Sequence, residues 1–314
     1  MTPETSAAIE VAGLARRFGD TVAVAGLDFE VRPGELFGLV GPDGAGKTTT
    51  LRMLAGVLRP SAGDARVDGV SVAADPEAVK PHLAYMSQRF GLYTDLTVAE
   101  NLEFYADLFR VPRAERAARL ERLYGFSGLG AFRGRLAGQL SGGMKQKLGL
   151  SCALIHEPRV LLLDEPTFGV DPVSRRDLWR IVHEMVGRGV TAVVSTAYLD
   201  EAERFDRLAL LHRGRLLVVD TPRALQDSFD GELLEARVAG ARSARAVAEL
   251  VPGVRRAQLF GETLHVTVDS AARAAPELAA ALSAAGHVVR DLTRIPASLE
   301  DVFLARIAAA AEAA

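Results

Sequence analysis

The stretch GPDGAGKT, Gly41 to Thr48, lies between an apolar run, LFGLV, and a helical pattern, KTTTLRMLAGVL. A glycine-rich loop of the form G-x-x-x-x-G-K-[ST] works only where it leaves a buried strand and enters a helix. There its backbone N–H groups turn inward at a helix N-terminus and cradle phosphate oxygens. The spacing makes Gly41, Pro42, Asp43, Gly44, Ala45 and Gly46 the cradle. Lys47 then reaches the β- and γ-phosphates, Thr48 holds Mg²⁺ through its hydroxyl, and Thr49 lies toward the α-phosphate. The bland alternative is a glycine-rich turn with an exposed lysine, and the strand–loop–helix order argues against it.

A second buried strand, VLLLDEP from Val160 to Pro166, ends in two acids. Beside a phosphate loop, Asp164 is placed to face the Mg²⁺ shell and Glu165 to contact the attacking water as general base. A helix, DLWRIVHEMVGRG, separates this strand from another, VTAVVST. Such alternation predicts a parallel sheet covered by helices. Residues 9–40 read as short strands with turns, including a type II turn at Pro33-Gly34, which predicts an antiparallel portion.

Residues 95–157 change character. Thr97 and Glu100 have capping-box spacing, and Val98, Leu102, Tyr105 and Phe109 recur at helical intervals. A second helix follows Pro112, and a third follows LSGG. From about residue 230 the pattern resets to strand, helix, hairpin, helix, strand and helix. The expected organisation is an α/β P-loop cassette over residues 1–225, with a helical insertion at about 95–157. A small α+β accessory domain follows over residues 230–314.

Two further segments stand out. LSGGMKQ, from Leu140, is a second glycine-rich helix entrance, with Ser141 as a candidate cap. Adjacent glycines at a helix start weaken it unless something must approach the backbone closely. In VVSTAYLDEAERF the strand breaks at Ser195-Thr196, reaches Ala197, and runs into an expected acidic helix, Asp200 to Glu203.

Composition narrows the partners. Net charge is -3, and the last 85 residues hold 11 Asp/Glu against 9 Arg, so no basic field invites nucleic acid. The single cysteine, Cys152, excludes an intrachain disulfide and fits a reducing compartment. The opening MTPETSAAIE lacks a basic stretch followed by an apolar run. No apolar segment approaches the roughly 18 residues of a membrane span. The expectation is a cytoplasmic protein.

Four motifs, in their order along the chain, resemble those of the ATP-binding cassette ATPases, over residues 9 to about 220. The resemblance implies that ATP is the substrate, with Mg²⁺, and that two cassettes, of the same or related chains, sandwich two ATP molecules head to tail. Ser141, Gly142 and Gly143 of one then close on the γ-phosphate held by the other. It implies that Phe18 lies where an aromatic stacks on adenine, although that ring beside Arg17 is equally readable as ordinary packing. Gln88 lies where a glutamine touches Mg²⁺ and signals to the membrane partner, and Asp171 lies in a loop that crosses the dimer interface.

LYTDLTVAENL, EPTFGVDPVSRR and the terminal SLEDVFLARI resemble ATPase subunits of ABC-2-type exporters in particular. That implies membrane-spanning permease subunits on other chains, a peripheral location on the cytoplasmic membrane face, and no nucleic-acid partner. In this family the residue after VVST is normally a histidine that contacts the γ-phosphate, whereas here it is Ala197. Two readings stay open: an ATPase driving export, or an ATP-binding half-site that closes but relies on a partner cassette for hydrolysis. A cassette acting on ribosomes or DNA would carry two cassettes, a coiled coil or a basic segment, and the chain shows none of these.

Overall fold

In a computed structural model the protein is described over residues 7–88 and 91–312. The chain divides into two units, Met1–Pro222 and Arg223–Ala314. The first contains β1 (Ile9–Phe18), β2 (Thr21–Val31), β3 (Leu36–Val40), α1 (Lys47–Leu54), β4 (Ala62–Val67), β5 (Val70–Ser71), α2 (Pro76–Val79) and β6 (Leu83–Met86). It continues with α3 (Val98–Leu108), α4 (Arg113–Ser127), α5 (Gly142–Leu154), β7 (Val160–Asp164), α6 (Pro172–Gly187), β8 (Thr191–Thr196), β9 (Arg207–His212) and β10 (Arg215–Asp220).

Every residue of β3, β7 and β8 is buried, as expected of parallel strands covered on both faces. They form the centre of a six-stranded sheet of order β10-β9-β3-β8-β7-β6, parallel except for β10 at its edge. A separate antiparallel sheet has the order β2-β1-β4-β5. The apolar face of α1, Leu51, Met53 and Leu54, packs into one core with Ile9, Leu27 and Val31 of the antiparallel sheet and Leu162 and Val193 of the parallel one. The helix that follows the phosphate loop is thus clamped between two sheets.

The antiparallel portion differs from its sequence reading. β1 and β2 are long strands of 10 and 11 residues, β3 belongs to the parallel sheet, and β4 and β5 complete the antiparallel one. Strand β4 escapes a periodicity search because Gly63 and Asp64 interrupt its apolar alternation. The helical insertion is α3 to α5, and the capping box at its start is complete. Thr97 Oγ1 accepts from Glu100 N–H at 3.2 Å, while Glu100 Oε2 accepts from Thr97 N–H at 2.8 Å. Among the described residues, no helix is long and apolar enough to cross a membrane.

The second unit begins within α7 (Pro222–Asp227) and contains β11 (Glu232–Val238), α8 (Ala241–Ala248), β12 (Val254–Phe260), β13 (Thr263–Val268), α9 (Ala271–Ala284), β14 (Val289–Ile295) and α10 (Leu299–Glu312). Its antiparallel sheet has the order β12-β13-β11-β14, and it has a core of its own from Leu234, Ala257, Leu264, Val266, Leu278 and Leu282. Helix α9 begins at Ala271, five residues before Pro276, and Glu232 Oε2 accepts from Ala271 N–H at 2.6 Å, which anchors its first turn.

Candidate active site

The phosphate loop joins β3 to α1, and two glycines in it are required by geometry. Gly46 has φ 100°, and a Cβ there would meet Ala23 O at 2.7 Å. A Cβ on Gly41 would meet Leu211 O at 2.3 Å. The loop is tied to the sheet by Gly41 N–H, which donates to Thr196 O at 3.2 Å. It opens on a cleft of about 500 Å³ lined by Asp43, Gly44, Ala45, Gly46, Lys47, Thr48 and Thr49, with Thr21, Val22 and Ala23 of β2 and with Gln88, Glu165 and Phe168. That volume suits a small-molecule ligand.

Lys47 is buried. Its Nζ donates to Gly41 O at 2.7 Å and Pro42 O at 3.1 Å and lies 3.1 Å from Glu165 Oε1. Thr48 Oγ1 donates to Asp164 Oδ1 at 2.9 Å, joining the start of α1 to the end of β7. Asp164 also accepts from Ser195 Oγ at 2.8 Å and from Tyr85 OH at 3.3 Å. Burial pushes the Tyr85 hydroxyl up to about 12, with the negative charge of Asp164 adding to the shift, so Tyr85 remains a donor.

Glu165 sits in the left-handed region at φ 48°, uncommon for a residue with a side chain. Its N–H is held by Ser195, through Oγ at 3.0 Å and the carbonyl at 3.2 Å. Gln88 Nε2 donates to Glu165 Oε2 at 3.0 Å. Lys47, Thr48, Asp164, Glu165 and Gln88 therefore meet in one place. Parallel register explains it: Val40 lies opposite Thr196 and Asp164 opposite Ser195, so three carboxyl-terminal strand ends share one rim.

The remaining candidates lie apart from that cluster. Phe18 is exposed at the end of β1, opposite Thr21 in register, with the Arg16 guanidinium 4.6 Å from its ring centroid. Ser141 caps α5, its Oγ accepting from Met144 N–H at 3.3 Å. Gly142 and Gly143, adjacent in sequence, have different surroundings. A Cβ on Gly143 would come 2.1 Å from Ser174 Oγ, so the close approach at that glycine is made by α6 of the same chain, whereas a Cβ on the exposed Gly142 would meet no atom nearer than Gly169 O at 4.0 Å. Asp171 caps α6, accepting from Val173 N–H at 3.1 Å and Ser174 N–H at 3.0 Å. The Ser174 N–H is the main cause that lowers its carboxyl below the usual range.

Ala197 is exposed, directly beyond β8. The acidic segment after it forms a short 3-10 helix, Leu199–Arg204, in place of the expected α-helix. Its acids do not all serve a helix terminus: Glu201 is buried and bonded to other segments.

Three residues at the site carried no recognised role in the sequence. Ser195 and Tyr85 act on Asp164 from neighbouring strands, and only strand order brings them there. Phe168, 56% exposed and lining the cleft, had one available signal: a large aromatic three residues after Glu165 in a loop where an apolar ring gains nothing locally.

A family profile described as ABC transporter matches residues 24–168. The chain is 53% identical over 227 residues to the "Probable multidrug ABC transporter ATP-binding protein YbhF" of Escherichia coli, a match spanning 72% of this chain and 39% of that protein. It is 37% identical to the "Daunorubicin/doxorubicin resistance ATP-binding protein DrrA" of Streptomyces peucetius, over 97% of this chain and 94% of that one. A solved structure titled "Structure of ATP binding subunit of ABC transporter" is similar at 31% identity and TM-score 0.65, covering 70% of this chain and 92% of the other.

Proposed function

The chain belongs to the ABC transporter family of ATP-binding proteins, and we propose that it binds ATP with Mg²⁺ and hydrolyses it to power export through separate membrane permeases. The observation that carries this reading is the convergence of Lys47, Thr48, Asp164, Glu165 and Gln88 on one cleft. Lys47 and the loop N–H groups bind phosphate. Glu165 takes the proton of the attacking water.

A magnesium ion fits these residues. Among the described residues no group of three or more His, Cys, Asp and Glu could hold a metal alone. The hard oxygens of Thr48 and Asp164 with the Gln88 amide suit an ion that takes one or two protein carboxylates and completes its shell from nucleotide phosphates and water. Bound there, the ion would neutralise charge on the transferring phosphoryl group.

The pairing of two cassettes, with Ser141 and Gly142 of one facing the γ-phosphate of the other, is supported by their exposure at the start of α5. A membrane partner is supported by an aromatic surface after Gln88. Tyr93 packs on Phe104 with ring centroids 4.6 Å apart, and Phe109 and Leu108 extend the exposed apolar area. Drug-like cargo is the substrate class favoured by the names of the two relatives, and the cytoplasmic membrane face is the expected place of work.

A second reading has its own observation, Ala197. Where the γ-phosphate contact is missing, this chain is the hydrolysis-poor half of a mixed pair. Phosphate release by the purified full chain tests both. Release that requires ATP and Mg²⁺ and vanishes in Lys47→Ala supports the ATPase. Tight ATP binding without release supports the half-site. A chain that binds no ATP by calorimetry refutes both.

A further inference from the structure

Residue 197 is fastened in place by a group outside the cleft. Glu201 is 2% exposed and is not among the residues lining the nucleotide cleft. Its Oε2 accepts from Thr196 Oγ1 at 2.7 Å and from Thr167 Oγ1 at 3.1 Å. Its Oε1 accepts from Trp179 Nε1 at 3.2 Å, with Arg175 Nε 3.8 Å away.

These donors come from three different segments. Thr196 ends β8 immediately before Ala197. Thr167 lies two residues beyond Glu165. Trp179 and Arg175 lie on α6, which Asp171 caps. Thr196 Oγ1 also accepts from Tyr198 N–H at 3.0 Å, so backbone on both sides of residue 197 is held by one hydroxyl. A carboxylate suits the position because all four neighbours present donors and the group is acceptor-only when ionised.

A simple structural anchor would explain burial and bonding but not their arrangement. The hydroxyls of Thr196, next to residue 197, and of Thr167, two residues beyond Glu165, share one carboxylate oxygen, while the other oxygen serves α6. Displacing either threonine alters the hydrogen bonding of the other and of the indole.

We propose that Glu201 is a positioning residue for hydrolysis. It fixes the edge at residue 197 and the loop from Glu165 to Asp171 in one register, and it conveys nucleotide-driven movement of that loop to α6 through Trp179. The inference rests on the ATP reading of the cleft.

The chain supplies its own reporter, because Trp179 is its only tryptophan. The experiment titrates the full chain with ATP and Mg²⁺ while following Trp179 emission, with affinity from calorimetry and phosphate release alongside. Thr196→Val keeps the side-chain shape and leaves Glu201 its other partners, so it is expected to fold. Glu201→Gln is the direct variant. The wild type should show an emission change that saturates with the calorimetric affinity. Thr196→Val and Glu201→Gln should lose at least two-thirds of that change with ATP affinity within twofold of wild type, and any measurable turnover should fall about tenfold. Thr196→Ser, which keeps the hydroxyl, should retain both. ATP binding without an emission change in the wild type, or a Thr196→Val that behaves as wild type, overturns this proposal alone. A Thr196→Ser as impaired as Thr196→Val also overturns it. Absence of calorimetric ATP binding refutes the ATP reading and the proposal with it.

Discussion

Lys47 Nζ stands 3.1 Å from Glu165 Oε1, and both groups are withdrawn from water, at 4% and 12% exposure. The cation assigned to phosphate is thus paired with the carboxylate assigned to water. Gln88 occupies the other oxygen of Glu165. Each contact uses one lone pair of an oxygen that has two, and an arriving phosphate competes for Lys47 directly.

Glu165→Gln should therefore do two things at once. Turnover should stop for want of a base. ATP should also bind about fivefold more tightly, roughly 1 kcal/mol, because phosphate no longer competes with a carboxylate for Lys47. Calorimetry on wild type and variant checks this. Weaker binding by the variant would mean that Glu165 organises the cleft rather than holding Lys47 back.

Ala197→His restores a donor at an edge already aimed at the loop, since Thr196 O accepts from Gly41 N–H at 3.2 Å. Ala197 is exposed, so an imidazole meets no core. A fixed donor on charge developing at phosphoryl oxygens is worth about 10²–10³ in rate, or roughly 3–4 kcal/mol. Steady-state phosphate release should rise by that order while ATP affinity stays level. A fast wild type that gains nothing from the histidine would make the position dispensable.

The two glycines of LSGG should separate. A Cβ on Gly143 would lie 2.1 Å from Ser174 Oγ and 2.2 Å from Ser174 Cβ, whereas on Gly142 the nearest atom is Gly169 O at 4.0 Å. Gly143→Ala should cost about 1–3 kcal/mol by forcing α5 off α6, lowering the melting temperature by about 5 °C. Gly142→Ala should melt like wild type and, if the cassettes pair as proposed, lose turnover. Equal melting of the two variants would contradict the packing account.

In the second unit, His265 is buried between Asp301, 2.8 Å from its Nδ1, and Glu235, 3.6 Å from its Nε2. Burial opposes its charge, but the Asp301 hydrogen bond and the two carboxylates outweigh burial and raise its pKa above the ordinary 6.5. Burial likewise opposes the charge on Asp301, yet hydrogen bonds from His265 and Ser298 lower its pKa below the ordinary 3.8. The His265 contribution is full below its unfolded value and fades as pH rises through the higher folded one. That of Asp301 is present above its unfolded value and fades as pH falls through the lower folded one. Protection of the α10 amides against hydrogen exchange, corrected for intrinsic rate, should fall as pH rises from below 6.5 through the raised pKa of His265, and His265→Gln should flatten that dependence. A wild-type profile as flat as the variant's would dismiss the ion pair.

The phosphate loop, the acid pair and the three buried parallel strands were legible in the sequence because each depends on local order. A glycine-rich turn needs its strand before it and its helix after it, and a doubly buried strand must be apolar throughout. The capping box at Thr97 and Glu100 is legible for the same reason, since its partners lie three residues apart. What the sequence left open was decided by strand order and by packing between distant segments. Ser195 and Tyr85 reach Asp164 from strands on either side of β7, at separations of 31 and 79 residues. Gly143 is required by Ser174 on another helix, not by its own. Glu201 read as one of the acids of a helix start, yet it lies buried among donors from β8, α6 and the loop after Glu165. Periodicity reports which face of an element is apolar. Only the tertiary fold determines which polar group is carried inside to meet another, because that depends on which strand end and which helix arrive together.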